Sequence, residues 1–132
     1  MIVLREVLDV KSLARIGAML DGAELEDGRS TSILATKRNL QVPLDTDVAR
    51  EAGALVADRL KAHEPFKLAA FPEAMSQPLF SAYETGMEYP DHVDVALMGG
   101  LRTDLALTLF LSPLESYEGG ELVTDGNVVT SA

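Results

Sequence analysis

Residues 102–112, Arg-Thr-Asp-Leu-Ala-Leu-Thr-Leu-Phe-Leu-Ser, repeat with a period of two. Leu105, Leu107, Leu109 and Leu111 fall on one side of an extended chain, and Asp104, Ala106, Thr108 and Phe110 on the other. Toward its end both sides are apolar, so the run is expected to be a strand inside a two-layered fold. From Phe66 onward, Pro72, Pro78, Pro90 and Pro113, with Gly86, Gly99, Gly100, Gly119 and Gly120, cut the chain into short apolar segments. That texture belongs to a many-stranded antiparallel barrel or sandwich, and no helix is expected within it. Gly119-Gly120 should form a turn that needs positive φ, with Glu121 and Leu122 opening the next strand.

Ahead of Phe66 the period lengthens. After a short apolar strand over Ile2 to Val7, Asp9 is placed to cap a helix whose Leu13, Ile16 and Leu20 share one face, with Gly22 just past its end. Residues 30–42 read as extended: Lys37, Asn39 and Gln41 alternate with Arg38, Leu40 and Val42, and Pro43 closes the run. A polar face of this kind is expected to be a solvated edge strand. Asp45 or Thr46 then opens a second helix, because Val48, Ala52, Leu55, Val56 and Leu60 recur at helical spacing up to about Lys61. The expectation is an α+β chain of one domain over residues 1–132, with helical support over about 1–65 and a strand-rich part over about 66–132.

Composition removes several classes of function. Eleven Lys and Arg against 21 Asp and Glu give a net charge of −10, which repels phosphate backbones and anionic lipid, so neither nucleic acid nor membrane is an expected partner. The absence of Cys excludes disulfides, thiolate nucleophiles and Cys-based zinc sites. Arg5 and Glu6 interrupt the opening apolar residues before a signal-length run develops, and no later run reaches membrane-spanning length. A soluble, cytoplasmic protein is expected.

His92-Val93-Asp94 is the candidate for chemistry. Side chains at i and i+2 of a strand point the same way, so His92 Nε2 and an Asp94 oxygen can reach one divalent ion. In a chain this acidic the pattern alone arises by chance about a third of the time. His63, the other histidine, has Pro65 at that spacing and reads as a helix-end residue interacting with carbonyls and the negative end of the helix dipole.

The surroundings of the pair are more specific. Tyr83-Glu-Thr-Gly-Met-Glu-Tyr-Pro-Asp-His-Val-Asp94, then Arg102 to Ser112, then Gly119-Gly-Glu-Leu122, resemble the PKHD-type hydroxylases in order and spacing. These are bacterial relatives of the prolyl 4-hydroxylases among the Fe(II)/2-oxoglutarate dioxygenases. Asp27-Gly28-Arg29, the Lys37, Asn39, Gln41 run and Pro78-Leu79-Phe80 look similar too, so the resemblance extends from the amino terminus to about Val123. Tyr89-Pro90 departs from the aromatic-Gly step that the family often shows before Asp91.

The resemblance implies a double-stranded β-helix, a jelly-roll barrel of the cupin-like kind supported by amino-terminal helices. It also implies a 2-His-1-carboxylate site for Fe(II), with His92 and Asp94 matching the first two ligands. The implied reaction uses molecular oxygen to decarboxylate 2-oxoglutarate to succinate and hydroxylates a substrate C–H bond, with ascorbate restoring oxidised iron. Tyr83 matches a family Tyr near the cosubstrate, and a core Tyr with a satisfied hydroxyl is the other account of it. Lys37, Asn39 and Gln41 would line the substrate mouth by analogy, against the solvated edge. Arg102 and Asp104 belong to the recognisable strand entry, and an Arg–Asp pair bracing a sheet edge accounts for them equally well.

In the family the closing His and the base that grips 2-oxoglutarate follow the Gly-Gly-Glu-Leu turn. Beyond Asp94 this sequence has no His, and beyond Arg102 no Lys or Arg. The reading is therefore an incomplete piece of a longer hydroxylase, inactive alone, with sheet edges and one side of its core uncovered. Thr124 to Ala132 reads as a turn entering a strand that stops. Two other readings stand beside it: a binding or interaction module of the same fold, and a hydrolase built on Asp91, His92 and Asp94 that lacks any nucleophile motif. Neither substrate nor oligomeric state is legible.

Overall fold

The computed structural model of the chain describes residues 1–32, 36–124 and 127–129. Asp9 caps α1 (Val10–Leu20), its carboxylate accepting from Ser12 N at 2.7 Å. Thr46 caps α2 (Asp47–Ala62) by accepting from Ala49 N at 3.2 Å. Each side chain satisfies one of the amide donors that a helix start leaves unpaired.

A third helix, α3 (Glu64–Ala70), corrects the expectation that helices stop near Lys61. Pro65 lies in its first turn, where a missing N–H costs nothing, and His63 Nδ1 accepts from Phe66 N at 3.2 Å. The helix ends on Phe71 in the left-handed region at φ 43°. α1 and α3 both pack on α2. Ile16, Ala49, Ala52, Val56, Leu60 and Phe66 from the helices meet Val42 and Phe80 in one core, with Leu4 and Val7 packed against it. Residues Ile2 to Val7 thus add to the core without forming the expected strand.

The central sheet is antiparallel and short. β2 (Leu40–Gln41) lies between β1 (Glu26–Asp27) and β3 (Ser81–Ala82). Leu40 pairs with Asp27 and Ala82, and Gln41 with Glu26 and Ser81. Continuing that register would set Arg38 opposite Glu84, yet Arg38 bridges to Glu88. The intervening residues leave the sheet in a turn, closed by Met87 N donating to Glu84 O at 2.9 Å and by Gly86 at φ 81°. This excursion sets Tyr83 beside Asn39 and Tyr89 beside Lys37.

Two hairpins complete the described residues. β4 (Leu97–Met98) and β5 (Leu101–Arg102) turn through Gly99 and Gly100, whose φ of 57° and 80° suit a two-residue hairpin turn. β6 (Leu122–Thr124) pairs with β7 (Asn127–Val129) after Gly119 and Gly120, both at positive φ as expected. The long strand expected over Arg102 to Ser112 is not formed: only Leu101–Arg102 has ladder partners. Leu109 and Leu111 pack against the core, but Leu105 and Leu107 are 69% and 53% exposed. Alternation shows that a segment can be extended, while a ladder also needs a neighbouring strand to supply its hydrogen bonds. The architecture is α+β, with three helices and small antiparallel sheets.

Candidate metal centre

His92 and Asp94 come together. Nε2 of His92 stands 3.2 Å from Asp94 Oδ1, and His92 Nδ1 stands 2.8 Å from the carbonyl oxygen of Pro90. A carbonyl only accepts, so Nδ1 carries the ring hydrogen and donates it. In the neutral ring Nε2 then presents a lone pair toward a carboxylate oxygen. Two electron-rich atoms at that distance call for a cation, either a proton or a metal ion. Two donors at right angles on one ion, each at about 2.1 Å, stand about 3 Å apart, so the observed separation fits a shared divalent ion. Among the described residues no third His, Asp or Glu joins them. No hydrogen bond or ion pair joins Asp91 to His92 there, and His63 is occupied by Phe66 N and, through Nε2, by Arg5 O at 3.1 Å.

The imidazole also has a neighbour on its face. Tyr89 stacks on His92 with ring centroids 3.8 Å apart and planes 12° apart. Over the Tyr89 ring, 4.8 Å from its centroid, sits the Lys37 ammonium. Tyr89 OH lies 3.3 Å from Ser32 Oγ.

Lys37, Asn39 and Gln41 depart furthest from expectation. Expected on a solvated edge, they are 3%, 3% and 1% exposed. Most of their polar atoms find side-chain partners. Lys37 Nζ donates to Thr31 Oγ1 at 3.0 Å, which in turn lies 2.6 Å from Gln41 Oε1. Gln41 Nε2 donates to Ser81 Oγ at 3.1 Å, and Asn39 Nδ2 to Tyr83 OH at 3.1 Å. Asn39 Oδ1 is buried without a hydrogen-bond partner, and a Cβ at Gly28 would lie 1.9 Å from it. Burial holds Lys37 below the usual ammonium pKa, as no carboxylate faces it among the described residues. Burial likewise raises the Tyr83 phenol, against which the Asn39 hydrogen bond works. Arg102 and Asp104 pair at 2.9 Å on the exposed surface.

Curated proteins align along nearly the whole chain. A PKHD-type hydroxylase of Xanthomonas campestris pv. campestris (strain B100) is 41% identical over 138 aligned positions, covering 96% of this chain and 60% of the relative. One from Caulobacter vibrioides is 40% identical over 95% of this chain and 59% of the relative. One from Methylobacterium nodulans is 40% identical over 90% and 56%. By sequence the chain is similar to the PKHD-type hydroxylases along nearly its whole length.

The chain thus spans about 60% of the length of the PKHD-type hydroxylases it matches. No family-level sequence profile matches it. The sequence singled out His92 and Asp94 as candidates, while the contacts of Tyr89 and the Pro90 carbonyl with His92 were not anticipated. The signal was present: Tyr89-Pro-Asp-His92 sets an aromatic residue three positions before the His in a segment that a proline stiffens. Among the described residues no helix is long and apolar enough to cross a membrane.

Proposed function

We propose that this chain carries the first two iron ligands of an iron(II)- and 2-oxoglutarate-dependent hydroxylase, His92 through Nε2 and Asp94 through a carboxylate oxygen. The observation that supports it most is the 3.2 Å approach of Nε2 to Asp94 Oδ1 while Pro90 O holds the hydrogen on Nδ1. A tautomer set by an outer hydrogen bond is how histidine is prepared to ligate. In this reading the barrel is a double-stranded β-helix, and residues 1–65 brace it as part of one domain. Bound iron with 2-oxoglutarate supplies oxygen activation for the hydroxylation of a C–H bond, and ascorbate keeps the iron reduced. The protein's part would be orientation and charge: Asp94 would contribute the negative charge, and Tyr83, whose hydroxyl accepts from Asn39 Nδ2, would help to hold the cosubstrate. Both nitrogens of His63 are occupied, so it is not offered as the third ligand.

Anaerobic calorimetric titration with Fe(II) tests the pair. Weak binding by the chain, lost in His92→Ala and in Asp94→Ala and retained in His63→Ala, is expected. Equal binding by all four proteins sinks the reading.

A second reading, a catalytically inactive interaction module of the same fold, is favoured by the exposed apolar run of Leu105 and Leu107. Size-exclusion chromatography showing a monomer at every concentration counts against it.

A further inference from the structure

We propose that Tyr89 is a positioning residue for His92: its ring, backed by the Lys37 ammonium, sets the plane of the imidazole and so the direction in which Nε2 points. The stack is a property of the chain alone, and only its effect on metal binding rests on the reading above.

Two restraints at right angles are needed to hold an imidazole. The bond from Nδ1 to Pro90 O restrains rotation within the ring plane, but a hydrogen bond tolerates considerable tilt of that plane. Among the described residues the main chain does not supply the rest, since no main-chain hydrogen bond starts or ends between Tyr89 and Val95. A flat ring at 3.8 Å and 12° supplies it by contact over the whole face. Tyr89 is itself held from the sheet. Arg38 N donates to Glu88 O at 2.8 Å immediately before it, and Ser32 Oγ meets its hydroxyl. On its side lies the Lys37 ammonium, the one buried cation among the described residues. A cation over an aromatic face, shielded from water, is a stronger contact than an exposed one. The burial of Lys37, which no ion pair among the described residues explains, therefore acquires a role: it anchors the ring that aims His92.

The test uses the intact chain without metal, and then with Co(II). Only two histidines are present, so proton–nitrogen NMR resolves His92 from His63 directly. The expected wild-type spectrum has His92 ring protons shifted upfield by the Tyr89 ring, Overhauser contacts between the rings, and the hydrogen on Nδ1. Tyr89→Leu should abolish the upfield shift and weaken Co(II) binding about tenfold, the usual cost of losing an outer support of a ligand. Tyr89→Phe should preserve both. Lys37→Met should reduce the upfield shift while the fold survives. His92 ring protons at free-imidazole positions in the wild type overturn the proposal, and they do so even if Tyr89→Leu fails to fold. So does a Tyr89→Leu protein that keeps the wild-type shift and Co(II) affinity. His92→Ala separates the two readings: Co(II) binding that survives it removes the metal pair, while the wild-type NMR still decides the stack.

Discussion

His63 reaches across the sequence to Arg5: its Nε2 lies 3.1 Å from the Arg5 carbonyl, while its Nδ1 accepts from Phe66 N and caps α3. One imidazole thus ties the amino-terminal segment to the start of a helix, and the two bonds assign its hydrogen to Nε2. Replacing it removes a helix cap and a long-range hydrogen bond together. His63→Ala should lower unfolding free energy by about 1–3 kcal/mol in urea titrations. An unchanged midpoint would show that neither bond contributes.

Gly28 and Asn39 share one narrow space. With Asn39 Oδ1 1.9 Å from where a Cβ would stand, Gly28→Ala forces the amide aside and breaks its hold on Tyr83 OH. The expected loss is about 1–3 kcal/mol, as for other overpacked sites. Asn39→Ala in the same protein should recover part of that loss, so the two changes are not additive. Additive losses in denaturant titrations would mean that the clash relaxes elsewhere.

Lys37 should leave a mark on alkaline stability. Its folded pKa lies below the usual 10.5, so between that lowered value and 10.5 the unfolded chain binds more protons than the folded one. Stability attributable to Lys37 therefore rises with pH across that window. Lys37→Met lacks this rise, and the difference between the two proteins, measured by denaturation at a series of pH values, isolates it. A flat difference would contradict the burial of the ammonium.

Ile16 and Leu105 mark the limits of the core. Ile16 is 0% exposed and Leu105 is 69% exposed. Ile16→Ala should cost about 2–5 kcal/mol and Leu105→Ala less than about 0.5 kcal/mol. Comparable losses from the two would place residues 102–112 inside a packed layer after all.

What could be read from the residues follows from how local each cause is. The starts of α1 and α2 were legible because Asp9 and Thr46 act on amides three residues away. α3 was hidden because Pro65 looks like a breaker until His63 is seen to cap the turn that holds it. The alternation of Lys37, Asn39 and Gln41 correctly put them on one face. Which face could not be read, since their partners Tyr83 and Ser81 lie some forty residues away. Residues 33–35 of that run, and residues 125–126 and 130–132 of the last expected strand, lie outside the described residues. The nearness of His92 and Asp94 was legible from their spacing, but the shift in register that brings Tyr89 to Lys37 has no local signature.

The Arg38–Glu88 bridge has one more consequence. Behind it, the next main-chain tie among the described residues is Thr103 N to Ala96 O at 3.0 Å, so within them Tyr89 to Val95 form a span between two abutments. Amide protons at Arg38 and Thr103 should exchange slowly and those of Asp91 to Val95 quickly. The span is therefore a cassette: its residues can be exchanged, or their number increased, without disturbing the ladders at either end.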